Sequence, residues 1–480
     1  MVIDVLGQSL RDIALWHKAF AGIMAAVMVA AIVAVTRKIL KANGGAKHKS
    51  SSISLKTREA RWLYGSGKYE QAIEKLRESL ALEEHHEKRG VLNLEIGDCY
   101  YELQKYVRAA EFYAAGLQES RKADDKEGEA ANLNSMANTY VLRQATAGPA
   151  RGENVRAAID YYKRALEIYK KGEYPVEYAG TQVNLGDAYA ELASASAEKR
   201  AANVRAAIDC YKAALEIYKK DEYPVEYAGI QNSLGIAYAD LPCRSAEEQA
   251  SNIRAAIDCF KAALEIYKKD GYPAEYAGMQ NNLAIAYTKL PSASPEERAS
   301  NIRSAIDCYK RALEIHKKDD YPVEYAGAQN NLGSALKDLL SASAEERAAN
   351  VRSAIDCYRR ALEIYKKDEY PDDYAMAQNN LGLALRHLPS ATPEERASNI
   401  RSAVDCFKRA LEIWTKDKDS QYYCETAENL GRALADIDRP QACHWLKEAY
   451  WLREYLEDEG KRLEEVINTL CGGIGAYEEG

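Results

Sequence analysis

Phenylalanine is almost absent from this 480-residue sequence, with 4 Phe against 34 Tyr, and Pro (12) and His (7) are sparse as well. So skewed an aromatic usage indicates that a few Tyr positions have been copied many times. The sequence contains no Gly-rich phosphate loop, HExxH, GxSxG or paired CxxC, which removes the common signatures of nucleotide, metallohydrolase, serine-hydrolase and zinc-ribbon chemistry. The seven His are scattered; His85 and His86 follow Glu83 and Glu84, a solvated loop more simply than a metal site. His316 stands in a column otherwise filled by Tyr218, Tyr267, Tyr365 and Trp414, so it reads as a packing residue. The expectation is no catalytic residue, no cofactor, no metal, and no enzymatic activity.

One-signed charge is missing too. The net charge is -8, and the charges are finely mixed: between Asn252 and Ser300 six Lys/Arg are balanced by six acids. A duplex-binding surface needs a basic stripe that releases counterions from phosphates, so nucleic acid is not an expected partner. There is no Asn-x-Ser/Thr sequon, and of ten Cys, Cys210, Cys259, Cys308, Cys357 and Cys406 recur at one position of a repeat on an apolar helix face. Neighbouring repeats lie roughly 10 Å apart, too far for a disulfide, so these five are expected to be reduced core residues in a cytosolic array.

What the sequence does hold, near its start, is an unbroken apolar or small run from Ala19 to Val35, followed by Arg37, Lys38, Lys41, Lys47 and Lys49 with no acid before Glu59. Such a run is close to the length of a bilayer span, and the basic residues after it point inward. The expectation is a transmembrane helix over 19–41 behind a short segment 1–18, a flexible tether over 42–54, membrane association through 19–41, the N-terminus outside and the remainder in the cytoplasm.

Beyond it lies a strict repeat. Asn154, Asn203, Asn252, Asn301, Asn350 and Asn399 recur every 49 residues, each opening Asn-(Val/Ile)-Arg-(Ala/Ser)-Ala-(Ile/Val)-Asp. Ile257, Phe260, Leu264 and Tyr267 keep the three-and-four spacing of an amphipathic helix. A preceding helix starts at Tyr-Pro, with Pro in the first turn. Each copy is therefore a helix pair. Ser294-Pro295-Glu296-Glu297 has the form of a capping box that lengthens the second helix, and Lys-Lys-Asp-x-Tyr-Pro places two cations at a helix C-terminus, where the dipole favours them.

The pattern resembles the tetratricopeptide repeat family, whose 34-residue unit has small residues, Tyr and aromatics at fixed positions. Gly235, Tyr238, Ala256, Phe260 and Ala263 fill those roles in order, and two insertions extend 34 to 49. Gly97, Tyr100, Ala109, Tyr113 and Gly116 match without insertion. The resemblance implies an all-α, right-handed superhelical solenoid of about nine helix pairs: two units over 55–126, six long units over 127–419, a ninth over 420–457, and a capping helix and tail over 458–480.

It also implies a concave groove lined by the first helix of each pair, holding an extended or helical segment of a protein or peptide partner. Positions 5 and 6 of those helices carry Asn184, Asn232, Asn281, Asn282, Asn330, Asn331, Asn379, Asn380 and Asn429, and Asn331-Leu332-Gly333 and Asn380-Leu381-Gly382 resemble the kinesin-light-chain type of repeat. A column of carboxamides suits an extended backbone, and serves equally to bond neighbouring helices. Position 2 is Gly180, Gly229, Gly278 and Gly327, then Met376, which reads as a bare groove wall turning apolar. Lys337 and Arg386 place basic charge in the C-terminal half, which suits an acidic partner segment. The functional expectation is a membrane-anchored adaptor for protein–protein interaction; self-association into a scaffold (a homo-oligomer) and service as a regulatory subunit of a separate enzyme are the alternatives.

Overall fold

The computed structural model describes residues 49–142, 149–192, 196–341, 343–455 and 461–472. Among the described residues every regular element is a helix, nineteen in all, and they fall into two units that divide after Pro242. The first unit holds α1 (Lys49–Gly65), α2 (Tyr69–Leu82), α3 (His86–Glu102), α4 (Tyr106–Lys122), α5 (Lys126–Leu142), α6 (Pro149–Ile168), α7 (Pro175–Glu191), α8 (Ala197–Leu215) and α9 (Pro224–Asp240). The second holds α10 (Ala246–Leu264), α11 (Pro273–Lys289), α12 (Pro295–Leu313), α13 (Pro322–Asp338), α14 (Ala344–Leu362), α15 (Pro371–His387), α16 (Pro393–Leu411), α17 (Ser420–Leu434), α18 (Arg439–Tyr455) and α19 (Lys461–Cys471). Odd-numbered helices up to α17 are the first members of pairs and even-numbered ones the second. Within each unit a helix packs on its chain neighbours, and successive first helices also touch, as α3 with α5 and α13 with α15.

Local chemistry sets the helix ends. In α7, α9, α11, α13 and α15 a Pro occupies the first turn, and the Tyr before it is held out of the helical region, at φ -131 to -139°. Proline forbids the preceding residue an α conformation while fitting the helix start itself. The second helices α10, α12, α14 and α16 each run 19 residues. Their caps are Ser245, Ser294, Ser343 and Thr392, whose hydroxyls accept from the amides of Glu248, Glu297, Glu346 and Glu395. Three of those Glu return a bond, accepting from the amides of Arg244, Ala293 and Ala391 just before the cap. The capping box is thus present, reaching one residue further back than its usual partner.

Both lysines of the Lys-Lys turn are used. The first of each pair, as in Lys219, Lys317 and Lys366, donates to a carbonyl of the last helical turn (Leu215, Leu313, Leu362) at 2.9–3.3 Å. The second bridges to the next second helix: Lys269 to Glu314 and Lys318 to Glu363 at 2.6 Å, Lys367 to Glu412 at 2.7 Å, and Lys171 to Glu216 likewise. Being exposed, these rungs each contribute little to stability.

Inside the pairs α3–α4, α5–α6, α7–α8, α13–α14 and α15–α16 a small residue of the first helix faces an aromatic ring of the second. A methyl group added at Gly186, Gly333 or Gly382 would lie 2.7–2.8 Å from a ring carbon of Tyr211, Tyr358 or Phe407. The buried phenols are held by the residue after the small one: Tyr113 donates to Asp98, Tyr162 to Asn138 and Tyr211 to Asp187 at 2.6–2.8 Å, and Tyr358 lies 3.1 Å from Ser334 Oγ. The glycines at position 2 have a related task. A methyl at Gly327 would come within 3.3 Å of Oη of Tyr365, in the turn after α14, and one at Gly180 within 3.4 Å of Tyr218 Oη, so these two glycines make room for a phenol where the sequence suggested a bare groove wall. His316 is buried against the Tyr321 ring in the place of that phenol, and burial pushes its imidazole down to about 4.

Cys210, Cys259, Cys308, Cys357 and Cys406 are buried free thiols. A disulfide that the periodic cysteines do not announce joins Cys443 of α18 to Cys471 of α19. The Ser-rich stretch read as a tether is helical from Lys49 onward, Ser being tolerated in a first turn.

One expectation is corrected. Among the described residues no helix is long and apolar enough to cross a membrane. The stretch 19–41 on which the span rested lies outside the described residues, and the placement as a single-pass protein with its N-terminus outside and its repeats in the cytoplasm does not stand.

Replacing Gly333 with Ala should destabilise the chain by about 1–3 kcal/mol through overpacking against Tyr358. Gly271→Ala, where nothing lies within 4 Å of the added methyl, should change stability little. Urea denaturation of the two variants and the parent checks the contrast.

Candidate functional site

The Asn column becomes a set of rungs between successive first helices. In the second unit Asn380 Nδ2 donates to Asn330 Oδ1 at 3.2 Å, and Asn429 Nδ2 to Asn379 Oδ1 at 3.3 Å. Position 6 of one first helix therefore bonds position 5 of the one before. In the first unit Asn184 Nδ2 donates to Asn138 Oδ1 at 3.3 Å, an oxygen that also accepts from Tyr162. Asn232 and Asn330 are buried, and Asn281 hides an oxygen that has no donor. The amides of Asn282, Asn331, Asn379, Asn380 and Asn429 lie in half-buried residues. Of these Asn331, on α13, makes no side-chain hydrogen bond among the described residues. One residue earlier, Gln280, Gln329 and Gln378 are buried with Oε1 unpaired, a polar column beside the Asn one that the sequence reading passed over although it shares the same period.

The two basic residues differ in their surroundings. Lys337 Nζ is paired to Asp338. Arg386 reaches from α15 into a pocket of about 580 Å³, lined also by Arg432, Leu446, Val466, Thr469 and Leu470. Arg432 Nε and Arg453 Nη2 both hold Glu428, at 2.6 and 2.7 Å. Among the described residues Arg386 has no carboxylate partner: its Nη2 is 3.1 Å from His387 Nε2, and its Nη1 is buried without a partner. Burial lowers the guanidinium's pKa, and the Arg432 charge adds to the effect. The sequence placed Arg386; it did not reveal Arg432, Glu428 or α19 around it. The one available signal was that Arg432, at position 9, lies a single repeat after Arg386, at position 12.

The first unit has the opposite character. Glu95, Asp98 and Glu102 follow one another along α3. Glu95 is held by Arg61 at 2.7 Å, Asp98 accepts from the Tyr113 hydroxyl at 2.8 Å, and Glu102 accepts from Tyr64. Burial pushes Asp98 up to about 7, against the Tyr113 hydrogen bond and with the nearby Glu95 and Glu102 adding to it. His85 and His86 face Glu83 and Glu119 at 2.8 and 2.6 Å, and among the described residues no group of three or more His, Cys, Asp or Glu is placed to hold a metal ion.

With the geometry in place, residues 57–124 match the model of the tetratricopeptide repeat family. Over that stretch the chain carries tetratricopeptide repeats. Among solved structures it is similar to the apo form of the quorum sensor NprR from B. thuringiensis (13% identity, 84% of this chain and 98% of that one, TM-score 0.48). It is also similar to the C-terminal part of a TPR repeat-containing protein from Cytophaga hutchinsonii (14%, 64% and 95%, 0.41), and to a Podosopora anserina protein described as a kinesin light chain with nearly identical TPR-like repeats (17%, 47% and 99%, 0.35). No curated protein matches.

Asp98 yields a pH dependence with a definite sign. Its carboxyl titrates near 7 when folded and near 4 when unfolded, so the unfolded chain loses its proton first. Stability from this group is full below about pH 4 and falls as pH rises to 7. Asn138 performs the same acceptor role without charge. Asp98→Asn should therefore keep the Tyr113 bond and flatten the decline in melting temperature between pH 5 and 8; equal slopes for variant and parent would contradict the assignment.

Proposed function

We propose that the chain is a non-enzymatic adaptor that recruits a protein partner along the first helices of its repeats, organised as two short units (55–126), six long units (127–419), a ninth (420–457) and a cap (458–480). Such arrays serve protein–protein interaction and scaffolding. The single observation that carries the reading is the face built by α13, α15 and α17. These helices are linked by the Asn380–Asn330 and Asn429–Asn379 rungs, and they present Asn331, Lys337 and Arg386 part-exposed on one array. Carboxamides and cations at repeat spacing suit an extended segment, whose backbone supplies donors and acceptors and whose side chains supply charge.

The rungs dictate the choice of variant. Asn380→Ala would leave the buried Asn330 oxygen without its donor and cost about 1–3 kcal/mol of stability, which confuses binding with folding. Asn331 has no such bond. The double variant Asn331→Ala, Lys337→Ala should keep the parent's melting temperature and recover at least about fivefold less of the partners captured from native extract. Lys310→Ala, on the exposed side of α12, should recover them in full. Undiminished recovery by the double variant would sink the reading.

A further inference from the structure

The second helices of the second unit carry a stripe of charge on their outer side. On α12 it is Arg303, Asp307, Lys310 and Glu314, all exposed. Glu314 is the C-cap and keeps helical backbone angles, so it continues the line of the other three. The spacings of four, three and four residues set these side chains about 6, 4.5 and 6 Å apart along the axis, within roughly 60° of arc. The 49-residue period repeats the stripe on α10, α14 and α16, with Arg359 in the place of a lysine on α14.

Within one molecule these charges are left largely open. Both four-residue pairs place the cation before the acid, the weaker of the two orders on a helix, and Arg303, Asp307 and Lys310 form no ion pair among the described residues. Glu314 is bridged by Lys269, and a carboxylate has lone pairs for a second cation. The order of signs then decides what fits. A surface of one sign, such as a nucleic-acid backbone, would meet as much repulsion as attraction. Plus-minus-plus-minus read backward is minus-plus-minus-plus, and the four-three-four spacing reads the same both ways. A second copy of the helix laid antiparallel therefore sets an opposite charge at every position, Arg303 against Glu314 and Asp307 against Lys310. A parallel copy sets like on like.

We propose that the exposed face of α10, α12, α14 and α16 is an interface with a second copy of this chain, in which each helix lies antiparallel on its own counterpart across a two-fold axis. Such a contact is isologous, so every Arg–Glu and Asp–Lys pair occurs twice. Each exposed pair is weak and screened by salt. The pairing draws its strength from repetition, since every helix engaged adds the same set of pairs. The first helices stay free, so this pairing stands apart from the adaptor reading and gives self-association a definite face.

Sedimentation velocity on the full-length protein over a range of concentrations tests the pairing. The parent should form a reversible dimer at about 0.1 M salt and bind at least about tenfold more weakly at about 1 M, where the screening length falls from about 10 Å to about 3 Å. The double variant Asp307→Lys, Asp356→Lys sets a cation against Lys310 and Arg359 of the second copy and should dimerise at least about tenfold more weakly than the parent. Adding Lys310→Asp and Arg359→Asp exchanges the two signs within one chain, and in an antiparallel pair of exchanged chains each acid again faces a cation. This quadruple variant should dimerise within about threefold of the parent. Both variants should melt like the parent, because the changed residues are exposed. A parent that stays monomeric leaves the stripe to a different protein and overturns the proposal. So does a dimer indifferent to salt, a double variant that dimerises as the parent does, or a quadruple variant that fails to recover.

Discussion

The pairs α3–α4, α5–α6, α7–α8, α13–α14 and α15–α16 are each built on the contact between a residue without a side chain, or nearly so, and an aromatic ring. Gly186 meets Tyr211, Gly333 meets Tyr358 and Gly382 meets Phe407, at distances that leave no space for a methyl group. The close approach brings the next residue of the first helix to the ring's far end, and there Asp187, Asn138 or Ser334 answers the phenol. Where Phe407 replaces Tyr, no such acceptor is needed, and Leu383 follows Gly382. Ring, gap and acceptor fix the depth and rotation of one helix on the other, and so where the next pair can begin.

Polar groups then join pair to pair. The Asn rungs join α15 to α13 and α17 to α15, and the Lys–Glu bridges join successive second helices of the second unit. Buried amides and exposed ion pairs differ in consequence. Losing one partner of a buried rung strands an oxygen, which costs a few kcal/mol, while losing an exposed bridge costs little.

Much of this was legible in the sequence because it recurs. The 49-residue period, the Tyr-Pro starts, the Ser-Pro-Glu-Glu cap and the small-residue and aromatic positions each follow from a local rule applied repeatedly. What escaped were relations between separate segments. That Asn380 bonds Asn330 depends on the stagger of two first helices, so amides that look ready for a ligand are partly engaged with each other. That Gly327 seats the Tyr365 hydroxyl depends on a neighbour 38 residues on. Cys443 and Cys471 keep no periodic place, and no spacing rule pairs them. Arg386 was visible as a charge, but its lack of an acid becomes apparent only beside Arg432 and Arg453, which share Glu428.

The Lys–Glu bridge and the Ser or Thr cap have a consequence at the level of the gene. Both are made from residues that occupy the same place in every long period from the second onward, so the end of one copy fits the start of a later copy as well as its own successor. Within the second unit, excision of one whole 49-residue period would rejoin Lys269 to the Glu363 environment with the same partner types on both sides. Recombination between near-identical copies can therefore lengthen or shorten the array by whole turns of its pattern without creating a new kind of junction, and the reach of such a protein can drift while its chemistry stays the same.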